Sequence, residues 1–290
     1  MKFRRLVWLE QAINKARDNF VIEPLARSRL VQRHAHYAYN YAIKVLDDHR
    51  IVFDPRDREI GARLFRHGDW YRNEFRMVLA RLAAADRNTR DKVFLDVGAN
   101  IGTQTVYALV GGDFARSVAI EPMPGNLDML EMNVALNKLG DRVSIVRSAA
   151  GERTEQLTMT LNPRNNGGHS LHSGFVHDPG ASVEVDVAPV DEMLSRLQIA
   201  PTDVGLFWLD VEGFEPQAIA GARSLIEAKI PLFVEFNAKT YGPAATAELL
   251  KRLAACYGSA YSPGNELRPP REFAVDAIDP AYLQGDLLFL

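Results

Sequence analysis

A single cysteine, Cys256, stands among 290 residues, so neither an intrachain disulfide framework nor a cysteine-rich zinc site can be built from this chain. A reducing compartment follows as the expectation, with the cytoplasm as the default. An excess of one charge is lacking too. Against 34 lysines and arginines stand 37 acids, a net charge of −3, which gives no electrostatic case for a nucleic-acid partner. No apolar run reaches the length that a membrane helix needs. Residues 1–10 are basic, but their apolar part, Leu6 to Leu9, is too short for a signal-peptide core, so export is not expected. Repeats and low-complexity segments are missing as well. What remains, 47% hydrophobic and 24% charged, describes an ordinary globular protein with ample core. The length suits one large domain, or one domain with an extension.

The chain is organised around Val93-Phe94-Leu95-Asp96-Val97-Gly98-Ala99-Asn100-Ile101-Gly102-Thr103. An apolar run with a carboxylate at its tip reads as a buried parallel strand. Glycines just past its end let backbone N–H groups approach a ligand, and the helix that opens at Thr103 adds a partial positive charge. This is the pattern of a nucleotide-type cofactor site, with Asp96, Gly98, Ala99, Asn100, Gly102 and Thr103 as its candidate residues.

A dinucleotide fingerprint requires G-x-G-x-x-G, whereas from Gly98 the chain reads G-A-N-I-G-T, with Asn100 and Thr103 at glycine positions. A pyrophosphate would fit poorly. An acid before the first glycine suits a ligand with an ammonium group and no phosphates, such as S-adenosylmethionine (SAM). Asp96 would face its ammonium and sulfonium end, while loop N–H groups take its carboxylate. Here the sequence resembles class I SAM-dependent methyltransferases, and the words D-V-G-A-N-I-G resemble those of the FkbM-type family. That resemblance implies a doubly wound α/β fold, Rossmann-like, with a seven-stranded, mostly parallel sheet.

Residues 1–90 read as a mostly helical extension or cap, and 91–290 as the SAM-binding domain. Lys2 to Phe20 carries apolar residues at helical spacing, and the ring-rich stretch His34 to Tyr41 suits a packing face. A homo-oligomer through these N-terminal helices is one expectation. Asp54 to Ile60 has turn chemistry. Gly68 to Glu74 then leads into a helix ending near Ala85, and the family resemblance implies that Trp70, Tyr71 and Glu74 lie near the cofactor mouth.

Ser117 to Pro122 reads as a second strand ending in Glu121, 25 positions after Asp96. This is close to the roughly 20-residue interval at which Rossmann-type folds place a ribose-binding acid. A helix over Asn126 to Asn137 follows, and the words E-P-x-P-x-N with a later N-x-x-x-N again resemble the family. Glu121 and Pro122 are therefore cofactor candidates. Arg142 to Ala150 reads as the third strand, and the small residues Ser148, Ala149 and Ala150 at its tip leave room for an adenine ring.

The turn-rich insertion Asn162 to Ser170 reads as a substrate-side loop. Its His169 is a candidate general base, since an unperturbed histidine titrates near about 6.5. Val204 to Leu209 reads as a fourth strand ending in Asp210, with a helix over Pro216 to Ala228. The pattern D-x-E-G-x-E-x-x-x-x-x-G-A, set by Asp210, Glu212, Gly213, Glu215, Gly221 and Ala222, resembles the family signature. One departure stands out: the family often has a lysine two residues before that Asp, and here the place is held by Trp208.

Pro231 to Asn237 is the fifth strand, which brings Glu235 and Asn237 beside Asp210 at the switch-point crevice. Asp210, Glu212, Glu235 and His169 form the group from which a catalytic base would come, and Asp210 also borders the cofactor. A variant reading sets Mg²⁺ or Ca²⁺ on Asp210, Glu235 and Asn237, all oxygen donors suited to a hard cation. Without it no metal is expected. Residues 257–261 and 285–290 read as a closing antiparallel pair.

The resemblance implies O-methylation of a small-molecule or glycan hydroxyl, whether on a sugar, a glycolipid or a polyketide-type acceptor. Two rivals stay open. One is an NAD-linked oxidoreductase, which shares the strand–acid geometry. The other is a non-catalytic SAM-binding scaffold, which would not need the acids of the fourth strand.

Overall fold

The computed structural model describes residues 40–172, 174–264, 269–279 and 284–290. The helix expected over residues 2–20, the ring-rich stretch up to residue 39 and the expected oligomer contact lie outside the described residues. The fold is α/β, built on a large, mostly parallel sheet with helices on both faces.

Chain order begins with β1 (Ala42–Val45), β2 (Arg50–Phe53), α1 (Ile60–His67) and α2 (Arg72–Ala84). The core alternates β3 (Val93–Val97), α3 (Thr103–Val110), β4 (Arg116–Ile120), α4 (Pro124–Leu136) and β5 (Val143–Val146). An insertion carries β6 (Ala149–Ala150), β7 (Glu155–Thr160) and β8 (Ser182–Ala188), and the chain returns through α5 (Val190–Arg196) to β9 (Val204–Leu209). It closes with α6 (Glu215–Ala220), α7 (Arg223–Glu227), β10 (Leu232–Asn237), α8 (Ala238–Tyr241), α9 (Pro243–Ala254), β11 (Ser259–Ser262), β12 (Arg271–Ala274) and β13 (Gln284–Phe289).

The main sheet runs β12-β11-β13-β10-β9-β3-β4-β5. Its stretch from β10 to β5 is parallel, and β13 enters antiparallel between β10 and β11. Seven strands were expected. The eighth, β12, pairs with β11 at the edge.

Strand alternation divides the core into two layers. Val93, Leu95 and Val97 of β3 join Leu209, Leu225 and Leu253 in one cluster. Phe94 faces the other way and joins Leu206, Trp208, Phe75 and Leu130. In that second layer Trp208 stacks on Phe233 with ring centroids 3.7 Å apart.

Four departures from the sequence reading have local causes. First, residues 42–53 form a hairpin rather than helix, and β2 is docked on α4 by side chains. Asn133 Oδ1 accepts from Val52 N at 2.6 Å and its amide donates to Val52 O, while Asn137 pairs in the same way with Arg50. Buried backbone groups must find partners, and here two amides supply them. Second, the expected third strand is split. β5 stays in the main sheet, and β6 joins β8 and β7 in a second, three-stranded sheet. Third, the helix expected over Pro216 to Ala228 breaks at Gly221. A Cβ there would lie 2.0 Å from the Gly151 carbonyl oxygen, so the two chain segments cross only because the side chain is missing. Fourth, the main sheet has eight strands among the described residues.

Candidate active site

The parallel strands end in register, and the loops are tied where they end. Gly98 N and Ala99 N donate to Ile120 O at 3.0 Å, and Asp210 N donates to Val97 O at 3.0 Å. Gly98 has φ +83°, and a Cβ on it would lie 1.7 Å from the Asp210 carbonyl oxygen. Only glycine fits this crossing. Gly102, also left-handed at φ +82°, turns the chain into α3 against Leu130.

A narrow, partly open cleft lies above these tips. Its walls include Gly98, Asn100, Glu121, Pro122, Ser148, Ala149 and Ala150, and on the far side Asp210, Glu212 and His169. Glu121 is buried, and both of its oxygens are held: Oε2 accepts from Asn100 N at 2.9 Å, and Oε1 from Met123 N at 2.8 Å. Burial raises its pKa to about 7, although the N–H groups pull the other way. Asn100 Oδ1 is buried with no hydrogen-bond partner.

Other expected residues lie elsewhere. Asp96 has the parity of Phe94, so its side chain turns toward α3, where it accepts from Thr105 Oγ1 at 2.5 Å. It is 1% exposed and lies off the cleft, with its pKa raised to about 7 by burial. Ala99 and Thr103 are buried in the core behind the loop. Thr103 Oγ1 donates to Gln104 Oε1 at 2.5 Å.

The insertion loop roofs the cleft. Its Asn166 N donates to Asp57 Oδ2, and its Asn166 O accepts from Asn126 Nδ2 at 3.0 Å. Gly167 packs against Ile60 and the Asn100 amide. Asp57 is the hub of this contact, since its Oδ1 also accepts from Glu59 N and Gly61 N at 2.9 Å. His169 Nδ1 accepts from Asn162 N at 3.0 Å, so the neutral ring carries its proton on Nε2. Burial lowers its pKa to about 4.

On the far side, Val211 to Gly213 makes a tight turn with Glu212 at φ +54°. Glu215 holds this turn from within. It accepts from Val211 N at 3.0 Å, from Gly213 N and from the Tyr241 hydroxyl at 2.6 Å, with its pKa raised to about 7 by burial. Asp210, Glu212 and Glu235 converge, each with an oxygen within 4.8 Å of the others. Burial and the neighbouring carboxylates, Glu235 foremost, push the pKa values of Asp210 and Glu212 well above the ordinary range.

Asn237 does not join them. Its Oδ1 caps α8 by accepting from Thr240 N at 3.3 Å, and its side chain lines a second, wider groove with His172, Phe175 and His177. That groove adjoins Glu212, because Gly213 packs against Thr240, Phe175 and His172. Tyr71 lies within the electrostatic reach of Asp210, Glu235 and Asp286, and Glu74 within that of Asp286.

Asp57 and Asp286 escaped the sequence reading. The turn Asp54-Pro55-Arg56-Asp57 was a usable signal, since Asx side chains bond backbone amides two residues on. Asp286 has no such signal, because it reaches the site only by pairing opposite Glu235 across β10 and β13.

Residues 96–257 match the family model described as the methyltransferase FkbM domain. The chain belongs to that family. Among solved structures it is similar to a methyltransferase FkbM from Methylobacillus flagellatus KT, at 20% identity and a TM-score of 0.45, over 70% of this chain and 44% of that one. The chain thus spans less than half the length of that relative. It is also similar to TYW2 of P. horikoshii in complex with MeSAdo, at 16% identity and a TM-score of 0.41, over 86% and 70% of the two chains. An O-methyltransferase from Bacillus cereus in complex with SAH aligns at 10% identity and a TM-score of 0.43, over 77% and 82%. Comparison with curated proteins gives no match.

Proposed function

We propose that this FkbM-family methyltransferase uses SAM to methylate a hydroxyl of a small-molecule or glycan acceptor. The observation that carries the reading is the pairing of Glu121 with its floor. A buried carboxylate is fixed by loop amides at the tip of β4, above the small residues Ser148, Ala149 and Ala150. Ribose hydroxyls suit the first and an adenine ring suits the second. The unpartnered Asn100 Oδ1 suits an ammonium donor, the role that Asp96 was expected to fill.

When bound, SAM supplies an activated sulfonium methyl. The protein has to orient the acceptor oxygen and remove its proton. Such positioning is worth about 7 to 11 kcal/mol, and general-base help typically 10²- to 10⁴-fold. His169 is poorly suited to be that base, with Nδ1 committed to Asn162 N. Asp210 and Glu212 suit the task, because their raised pKa values make them stronger bases than ordinary carboxylates. The wider groove, with its amides, imidazoles and Phe175, supports a polar acceptor that stacks on an aromatic ring. No described helix is long and apolar enough to cross a membrane, and a cytoplasmic setting is our reading of the single cysteine.

Calorimetric titration with SAM and, separately, with NAD tests the cofactor. Micromolar SAM binding is expected, weakened about 10- to 100-fold by Glu121→Ala, as suits loss of hydrogen bonds to a charged group. Tighter binding of NAD, or unchanged SAM affinity in the variant, would overturn the assignment.

A further inference from the structure

The hairpin of β1 and β2 has one edge closed and one edge bare. Asn133 and Asn137 take the N–H and C=O groups of Val52 and Arg50 on the outer side of β2. Backbone groups alternate in direction along an antiparallel strand, so Ile51 and Phe53 turn theirs to β1, where Lys44 and Ala42 face them. Tyr41, Ile43 and Val45 therefore point their N–H and C=O groups away from β2, and among the described residues nothing bonds them. Their side chains also share one face. Tyr41, 46% exposed, and Val45, 40% exposed, are the exposed large apolar side chains among the described residues. Sheet edges are normally guarded by charge, proline or a bulge. β1 has no proline and no bulge, and its one charge, Lys44, turns back to donate to the Phe65 carbonyl at 3.4 Å.

We propose that the bare edge of β1 pairs with β1 of a second copy of this chain, antiparallel and centred on Ile43, so that two hairpins join into one four-stranded sheet. A two-fold axis at Ile43 makes the contact self-complementary. It sets Tyr41 of one copy opposite Val45 of the other, so the outward backbone groups meet one another. Each exposed ring then covers a β-branched side chain. Lys44 falls opposite Ala42, and no like charges face each other. An axis at Lys44 would set two lysines opposite, and one at Ala42 would leave Val45 without a partner in the strand. The chain upstream is a poor alternative occupant. Of the 39 residues before Asn40, those next to β1, residues 25–39, contain no glycine, asparagine, aspartate or proline, the residues of which tight returns are made. Two four-residue strands make a small contact, so the association is weak and depends on concentration. It does not depend on the methyltransferase reading above.

Sedimentation velocity of the full chain, from ~1 µM to ~0.5 mM, tests the contact. The mass is expected to rise from one chain toward two, with a Kd on the order of 100 µM. Val45→Pro deletes an outward N–H and leaves the bonds of Lys44 and Ala42 to β2 in place, so association should weaken about tenfold or more. Val45→Lys restores an edge charge and should act in the same direction. Circular dichroism shows whether each variant folds, and the lysine variant decides if the proline variant does not. Register is read by cross-linking in a Cys256→Ser background. The double variant Tyr41→Cys, Val45→Cys should form a disulfide dimer on mild oxidation, because opposed Cα atoms of a hydrogen-bonded pair lie about 5.5 Å apart, within disulfide reach. Neither single variant should, since its two thiols would lie about 14 Å apart along the strands. A chain that stays monomeric over the whole range, or unchanged association in a folded Val45 variant, overturns the pairing. So does a dimer in which the double variant fails to cross-link or cross-links no better than the single ones.

Discussion

At the tips of β3 and β4, Asp96 and Glu121 are deeply buried, but Thr105 bonds the one and the amides of Asn100 and Met123 bond the other. At the tips of β9 and β10, Asp210, Glu212 and Glu235 crowd one another, and no described ion pair relieves them. Both halves raise carboxylate pKa values by burial. Repulsion between carboxylates is the last and smallest cause at Glu121, where it comes from Asp96, but follows directly on burial at Asp210 and Glu212. The first half is preorganised, with fixed dipoles whose cost was met during folding, and suits recognition. The second holds uncompensated charge, which is available to a proton, a cation or a reacting hydroxyl. On the function proposed above, the satisfied carboxylates serve binding and the crowded ones serve the chemistry.

The largest expected effect breaks the comparison outright. Asp210→Asn keeps the shape and removes the charge, so methyl transfer to an acceptor panel should fall about 10²- to 10⁴-fold. SAM affinity should change no more than about threefold, since Glu121 is untouched. A parallel loss of both would mean that the two halves are not separate in function.

A second, smaller effect appears in stability against pH. Glu121, Glu215 and Asp286 all have folded-state pKa values near 7, and Asp210 and Glu212 are raised as well. Their unfolded values lie near 4, so between about pH 4 and 7 the folded state binds more protons. The stabilisation these groups give by staying protonated is therefore greatest at low pH and is lost as pH rises through 7. In chelator the melting temperature should fall between pH 5.5 and 8. Asp286→Asn should flatten that slope and gain on the order of 1 kcal/mol at pH 8. A melting temperature that climbs over this window would contradict the assigned shifts.

The smallest effect sharpens the binding half. Asp57→Ala removes the acceptor that holds Asn166 N and so loosens the loop over the cleft. Loss of about one hydrogen bond's worth, ~1 kcal/mol, would weaken SAM roughly fivefold. Transfer at saturating SAM should stay near normal, and a large fall in that rate would place Asp57 in the chemistry instead.

Much of this site could be read from the strand tips. Gly98, Glu121 and Asp210 follow apolar runs, and parallel β-topology brings such tips together. Reading the tip of β3 did not show where Asp96 points. That depends on the parity of one strand, and Phe94 shows which face it is. The hairpin over 42–53 was missed because its pairing is completed by Asn133 and Asn137, about 80 residues away, and no local period records such a contact. Glu235 and Asp286 meet only through the β10–β13 register, so the acid cluster could be suspected from three of its members but not drawn.

Those two asparagines also act as a ruler. They stand four apart on a helix, about 6 Å along its axis, while Arg50 and Val52 stand two apart on a strand, about 6.7 Å. The two repeats nearly coincide, so helix α4 can read the strand beside it. A slip of one residue would present the wrong backbone edge to both amides, and a slip of two would leave one of them empty. A lone two-stranded hairpin has little power to fix its own alignment. Here the alignment of β2 is specified from outside, by residues whose spacing belongs to a different kind of secondary structure.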